Sequence, residues 1–165
     1  MKLIDTAMLD ATQERARHSH RLRANHNLHP DLADPIQRML NAFEPGTYVR
    51  PHRHANPDRW ELFLILRGAL DLLTFDDRGR VTARIALRAG GPIVGFEIPA
   101  AAWHSLVCVE RGTVVYESKA GPYIPLPEQD VGAWSPPEGH AACGVFLDWF
   151  STAQEGDTPP AWPRA

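Results

Sequence analysis

Gly46-Thr47-Tyr48-Val49-Arg50-Pro51-His52-Arg53-His54, followed after six residues by Glu61 and after six more by Gly68, is the stretch that decides the fold. Side chains alternate faces along an extended chain, so His52 and His54 share one face with Tyr48 and Arg50. Two same-face imidazoles stand roughly 6–7 Å apart at Cα and can converge on one metal ion, whose bonds to imidazole nitrogen are about 2 Å long. Downstream, Pro99-Ala100-Ala101-Ala102-Trp103-His104 brings a third imidazole to the start of another strand, just after a turn. His18-x-His20 has the same spacing, but it lies in or beside a predicted helix, where i and i+2 diverge, and no function is read from it.

The chain around this stretch has 165 residues, 44% hydrophobic and 22% charged, which fits one domain with one core. Lys+Arg 17 against Asp+Glu 20 gives a formal net charge of -3, which supplies no long-range attraction for phosphate backbones or anionic lipid. Nucleic acid and membrane are therefore not expected as partners. No apolar run reaches the roughly 18 residues of a spanning helix, and Asp5 interrupts the place where a signal peptide needs its apolar core. Two cysteines, Cys108 and Cys143, are too few for a disulfide scaffold. A cytoplasmic protein is the expectation.

Glycine and proline punctuate the chain and favour short strands over long helices. A short amphipathic helix is predicted from about Leu3 to Arg17, started by Asp5, and a loop or edge strand over Arg21 to Pro30. Asp34-Pro35 predicts a second helix, because Ile36, Met39, Leu40 and Phe43 fall at i, i+3, i+4, i+7. Eight strands are then predicted: Thr47 to His54, Trp60 to Arg67, Leu70 to Phe75, Val81 to Leu87, Ile93 to Ile98, Trp103 to Val109, Thr113 to Ser118 and Val145 to Phe150. Asp76-Asp77-Arg78-Gly79 and Ala89-Gly90-Gly91-Pro92 read as turns. The stretch from Gly121 to Gly144 reads as a long surface loop held by Tyr123 and Trp134, and the proline-rich tail from Ser151 as frayed.

The two histidine blocks closely resemble the motifs of the cupin superfamily. Its first motif runs glycine, five residues, His-x-His, three or four residues, glutamate, six residues, glycine; its second runs Pro-x-Gly, two residues, histidine. This chain departs in three places: six residues separate His54 from Glu61, Ala101 stands for the second glycine, and Cys108 stands for a usual asparagine. The longer spacing keeps the strand register if Asn56-Pro57-Asp58 bulges out as a turn. Arg23 to His29, the Asp34-Pro35 helix, Pro45 to His54, Phe75 to Gly79 and Lys119 to Tyr123 are further similar to the WbuC-type cupin-fold metalloproteins, a family associated with bacterial surface-polysaccharide gene clusters.

The resemblance implies an all-β fold, a cupin (jelly-roll type) double-stranded β-barrel with a short N-terminal helical segment. It divides into a helical cover over 1–45, the barrel over 46–150 and a flexible tail over 151–165. It also implies His52, His54, Glu61 and His104 as ligands of one divalent metal ion, with Fe, Mn, Ni, Co and Zn all compatible with the donor set. Three imidazoles and one carboxylate leave coordination positions open, as a catalytic site needs. Strand alternation puts Arg50 and Tyr48 beside the metal, Arg50 to clamp an anion or to pair with Glu97 or Glu117, and Tyr48 to move a proton. Asn25, Asn27 and His29 are expected to fold over the barrel mouth and bind substrate. Trp60 and Trp103 are expected to face away from the metal, and with Phe96 to support a homodimer. Cys108 reads as a small core residue. The leading functional expectation is Lewis-acid chemistry, an isomerisation, epimerisation or elimination, on a small polar substrate such as a sugar derivative. An Fe(II)-dependent dioxygenase and a non-catalytic small-molecule binding or sensor cupin are the alternatives.

Overall fold

The computed structural model describes residues 1–55 and 59–163; the turn expected at Asn56-Pro57-Asp58 lies outside the described residues. Two sheets face each other. One has five strands in the order β1 (Arg23–Asn27), β2 (Ile36–Phe43), β8 (Thr113–Ala120), β3 (Glu61–Arg67) and β6 (Gly95–Ile98). The other has three, β5 (Val81–Arg88), β4 (Ala69–Phe75) and β7 (Trp103–Cys108), and every pairing is antiparallel. This is a jelly-roll of the cupin type. Phe43, Phe63, Ile65, Leu70, Leu72, Leu106 and Val115 meet between the sheets as the core, because the even positions of β4 and β7 and the odd positions of β3 and β8 point inward.

Two helices cover the outer faces. α1 (Thr6–His18) is capped by Asp5, whose side chain accepts from the Met8 N–H at 2.9 Å. It buries Leu9 and Ala16 on Leu40, Ala42 and Val114, the outward side chains of β2 and β8. α2 (Cys143–Thr152) lays Phe146 and Phe150 on Leu73, Phe75 and Trp103 of the three-stranded sheet. Its C-terminal carbonyls are held by Arg84, which donates to Phe150 O at 2.7 Å and Ala153 O at 3.0 Å and pairs with Asp71. A cation at that end complements the helix dipole.

Three segments differ from the reading of the sequence. Residues 36–43 form β2 where a helix was expected. The strand is covered by α1 outside and by the interior inside, so apolar residues occupy both faces and imitate a helical stripe. Asp34 caps no helix there; its side chain accepts from the Ile36 N–H at 2.9 Å in an Asx turn. Residues 145–150 lie within α2 where a strand was expected, since so short an apolar stretch, broken only by Asp148, shows no clear period of its own. The burial of Phe146, Phe150 and Ala153 at i, i+4, i+7 is the helical signal. Residues 47–54 make only isolated bridges, from His52 to His104 and to Val131, so strict alternation does not govern them.

The expected turns hold. Gly79 closes its hairpin at φ +83°, where an added Cβ would meet the Trp134 ring at 2.3 Å. In the tail expected to fray, residues 152–163 are tied down: Gly156 N–H donates to Val81 O at 2.9 Å and Trp162 Nε1 to Trp134 O at 3.0 Å. Of the aromatics expected at an interface, Trp103 is buried and donates to Asp77 at 2.9 Å, while Phe96 stacks on Phe63. Trp60 is exposed, as are Leu64 and Leu66 on the outward face of β3. No helix among the described residues is long and apolar enough to cross a membrane.

Candidate metal centre

β3 and β7 place two of the four expected ligands, and the bridge between 52 and 104 places the others. His52 N–H donates to His104 O at 3.0 Å and His104 N–H donates to His52 O at 2.9 Å, which fixes the irregular His52–His54 segment against β7. The turn before β7 joins the same frame through Ala101 N–H, which donates to His54 O at 3.1 Å. As a result one donor atom each from His52, His54, Glu61 and His104 lies within 4.8 Å of the others.

The ring orientations suit metal binding. His52 Nδ1–H donates to Arg50 O at 2.9 Å and His104 Nδ1–H donates to Ala102 O at 3.0 Å, which leaves both Nε2 lone pairs facing the centre. His54 Nε2 and His104 Nε2 lie 3.0 and 3.2 Å from the Glu61 oxygens. Both nitrogens are buried, and neither has the geometry of a hydrogen bond. Orphaned buried nitrogens grouped around a carboxylate are the fit expected of a ligand set that a divalent cation completes. Burial, with His104 beside it, pushes His52 down to about 3, so its ring is neutral and able to ligate. Burial alone would raise Glu61, but the Lys119 ammonium 2.9 Å away helps to hold its carboxyl well below the usual carboxylate range. It stays ionised.

Behind the ligands the register builds a charged wall. Gln37, Lys119 and Glu61 stand opposite one another across β2, β8 and β3, and Met39, Glu117 and Phe63 form the next row. Lys119 Nζ lies 2.9 Å from Glu61 and 2.7 Å from Glu117, and Asn41 Nδ2 donates to Glu117. These residues, with His52, Glu61 and His104, line a cavity of about 520 Å³ whose other walls include Phe43, Phe63 and Leu106. That volume suits a small organic ligand.

The remaining site residues divide. Asn25, Asn27 and His29 line the cavity, and Asn25 Nδ2 donates to Asn27 Oδ1 at 2.7 Å. Arg50 and Tyr48 do not line it. Tyr48 is buried under α2 and donates to Pro136 O at 2.9 Å, and Arg50 Nη2 donates to Ser135 O at 3.1 Å. Both point into the 132–136 loop, because residues 47–51 lack the strand regularity that would aim them at the metal. Arg50 pairs with neither Glu97 nor Glu117 among the described residues. Cys108 lies in the core, where burial raises its thiol to about 11.

Asp130 and Lys119 were missed as site residues. Asp130 is buried, accepts from Arg53 Nε at 3.2 Å and from Ala55 N–H at 3.3 Å, and so braces the segment that carries His52 and His54. No local pattern announces it. Lys119 was legible from alternation, since β8 puts it on the same face as Glu117.

Among solved structures the chain is similar to CapF with the inhibitor 3-isopropenyl-tropolone, at TM-score 0.53 and 17% identity over 65% of this chain and 30% of that one. It is also similar to an oxalate oxidase in complex with the substrate analogue glycolate, at TM-score 0.50 and 20% identity over 64% of this chain and 54% of that one. A third similar structure is KdgF from Halomonas sp., at TM-score 0.47 and 17% identity over 62% of this chain and 81% of that one. The chain thus spans about half of the oxalate oxidase and under a third of CapF. The likeness to CapF and to the oxalate oxidase shows the fold alone. No curated protein matches the chain. Residues 4–87, just over half of the chain, match the family model described as a domain of unknown function, DUF6016, and the chain belongs to that family.

Proposed function

We propose that the chain is a WbuC-type metalloenzyme in which His52, His54, Glu61 and His104 hold one divalent ion and a small polar substrate, a sugar or sugar derivative, enters the cavity beside them. The convergence of three imidazoles, that of His104 buried, on an ionised carboxylate at the wall of a cavity of about 520 Å³ carries this reading. The ion, when bound, supplies Lewis acidity toward substrate oxygens. The chain's own residues do the rest. Lys119 holds the Glu61 carboxylate in place and screens it from Glu117. Glu117, raised by burial above its ordinary value and facing the cavity, is suited to take and return a substrate proton. Glu117 with Lys119 therefore takes the proton-transfer role that alternation assigned to Tyr48.

Deuterium exchange tests the reading. Chain reconstituted with Mn(II), Zn(II) or Fe(II) is incubated in D₂O with a panel of aldoses, uronic acids and sugar phosphates, and C–H signals are followed by proton NMR, with and without O₂. Metal-dependent loss of one C–H signal, indifferent to O₂ and reduced about 100-fold in Glu117→Gln, is the expected result. Consumption of O₂ would move the chemistry to the dioxygenase class. Ligand-induced stabilisation with no exchange would make the chain a binding module.

A further inference from the structure

One imidazole of the cavity is not used by the metal centre. His29 follows β1, is buried, and lines the same cavity as His52, Glu61 and His104. Its tautomer is set by β2. The Arg38 main-chain oxygen accepts from the Leu28 N–H at 2.8 Å, and the Arg38 N–H on the same edge donates to His29 Nδ1 at 3.0 Å. Nδ1 also lies 2.8 Å from the Arg38 oxygen, which can accept a second hydrogen bond, but the Arg38 N–H can only donate, and a proton on Nδ1 would set two donors against each other. Nδ1 is therefore the acceptor, and the ring proton sits on Nε2. His29 Nε2 is buried and has no hydrogen-bond partner among the described residues. Buried donors are nearly always satisfied, so this one marks a place for a ligand oxygen.

The cavity wall next to β1 states the charge of that ligand. Arg21 and Arg23 line the cavity together with Asn25 and Asn27. Both guanidiniums lean on the single carboxylate of Glu138, Arg21 Nε at 2.7 Å and Arg23 Nη2 at 2.9 Å. One carboxylate does not neutralise two guanidiniums, which match carboxylate and phosphate groups by paired hydrogen bonds. At the other end of the cavity, the charges of Glu61 and Glu117 are met by Lys119 and, in the function proposed above, by the metal.

We infer that the cavity binds a small hydroxylated organic anion, its carboxylate or phosphate held by Arg21 and Arg23 and another of its oxygens accepting the His29 Nε2 proton. The inference deepens the proposed function by naming the class of its substrate, and it rests on that reading for the balance of charge deep in the cavity. Isothermal titration calorimetry on the full chain tests it with three probes: D-glucuronate, glucose 6-phosphate and neutral D-glucose, each on Mn(II)-loaded and on chelator-stripped protein. At least one anion should bind the loaded chain about tenfold or more tighter than glucose, and the comparison of the two anions identifies the acidic group. His29→Asn keeps an oxygen where Nδ1 sits, to accept from Arg38, but removes the donor into the cavity. It should weaken anion binding about tenfold while moving the thermal midpoint by less than about 3 °C. Arg21→Gln, at a half-exposed position, should weaken the anions and leave glucose unchanged.

Glucose binding as well as the anions, no binding by any of the three, or native affinity in both variants would overturn the inference. Metal content measured on the same samples separates it from the reading it rests on. A chain that takes up no metal yet binds glucuronate through His29 contradicts the metalloenzyme and supports the anion site. A loaded chain that binds neither anion does the reverse.

Discussion

Lys119 stands between two buried carboxylates, 2.9 Å from Glu61 and 2.7 Å from Glu117, and burial makes that position matter more than any surface ion pair. Lys119→Met leaves both carboxylates buried without their cation. It should lower the metal-free stability by about 3–5 kcal/mol in denaturant unfolding, and a loss under about 1 kcal/mol would show that the charges are solvated. Ala101 carries a smaller strain. It adopts φ +65°, in the left-handed region that L-residues enter at roughly 1–2 kcal/mol, at the position where the cupin motif has glycine. Ala101→Gly relieves that strain but loosens the unfolded chain, for a net gain of about 0.5–1 kcal/mol in the same unfolding measurement. Unchanged or lower stability would mean that the strain is no larger than the cost of the looser unfolded chain. At this scale the sequence was most readable where chemistry and spacing coincide: His52, His54, Glu61 and His104 come together as their motif implies. Arg50 and Tyr48 were misplaced because alternation was extended through residues that pair only by isolated bridges. Asn41 was hidden because its strand read as a helix.

The elements show why. β3, β4, β5, β7 and β8 were legible within a residue or two, since each lies between turn residues and has β-branched and aromatic content. β2 and α2 were not, because each touches structure that its own sequence does not mention: α1 over the outer face of β2, and the three-stranded sheet under α2. For β2, cover on both sides erases the period that distinguishes strand from helix, whereas α2, covered on one side, is too short for its period to stand out. The importance of α2 follows from its burial. Phe146 and Phe150 are completely enclosed against Leu73, Phe75 and Tyr48. Phe146→Ala should therefore cost about 3–5 kcal/mol of stability, read from the denaturant midpoint at constant slope. A cost below about 1 kcal/mol would mean that α2 contributes little to the fold.

At the scale of the whole molecule, the metal centre couples folding to pH and to metal. Burial holds the folded His52 down to about 3, whereas the unfolded chain takes up that proton near the ordinary histidine value of about 6.5. The neutral ring thus contributes stability in full above about pH 6.5, and the contribution is lost as the pH falls toward 3, by up to about 1.4 kcal/mol per pH unit. Glu117, raised by burial, works in the opposite sense, so the comparison to make is native chain against His52→Asn, both metal-free. The native chain should lose ground relative to the variant between pH 7 and 5, and a constant difference over that range would contradict the buried neutral ring. The most direct test of the account is elemental mass spectrometry on chain purified without a histidine tag, native against His54→Ala, after incubation with Fe(II), Mn(II), Ni(II) or Zn(II). About one equivalent of a single divalent metal in the native chain, falling about tenfold or more in the variant, is the predicted result. No bound metal in the native chain, or equal metal in both, would contradict it.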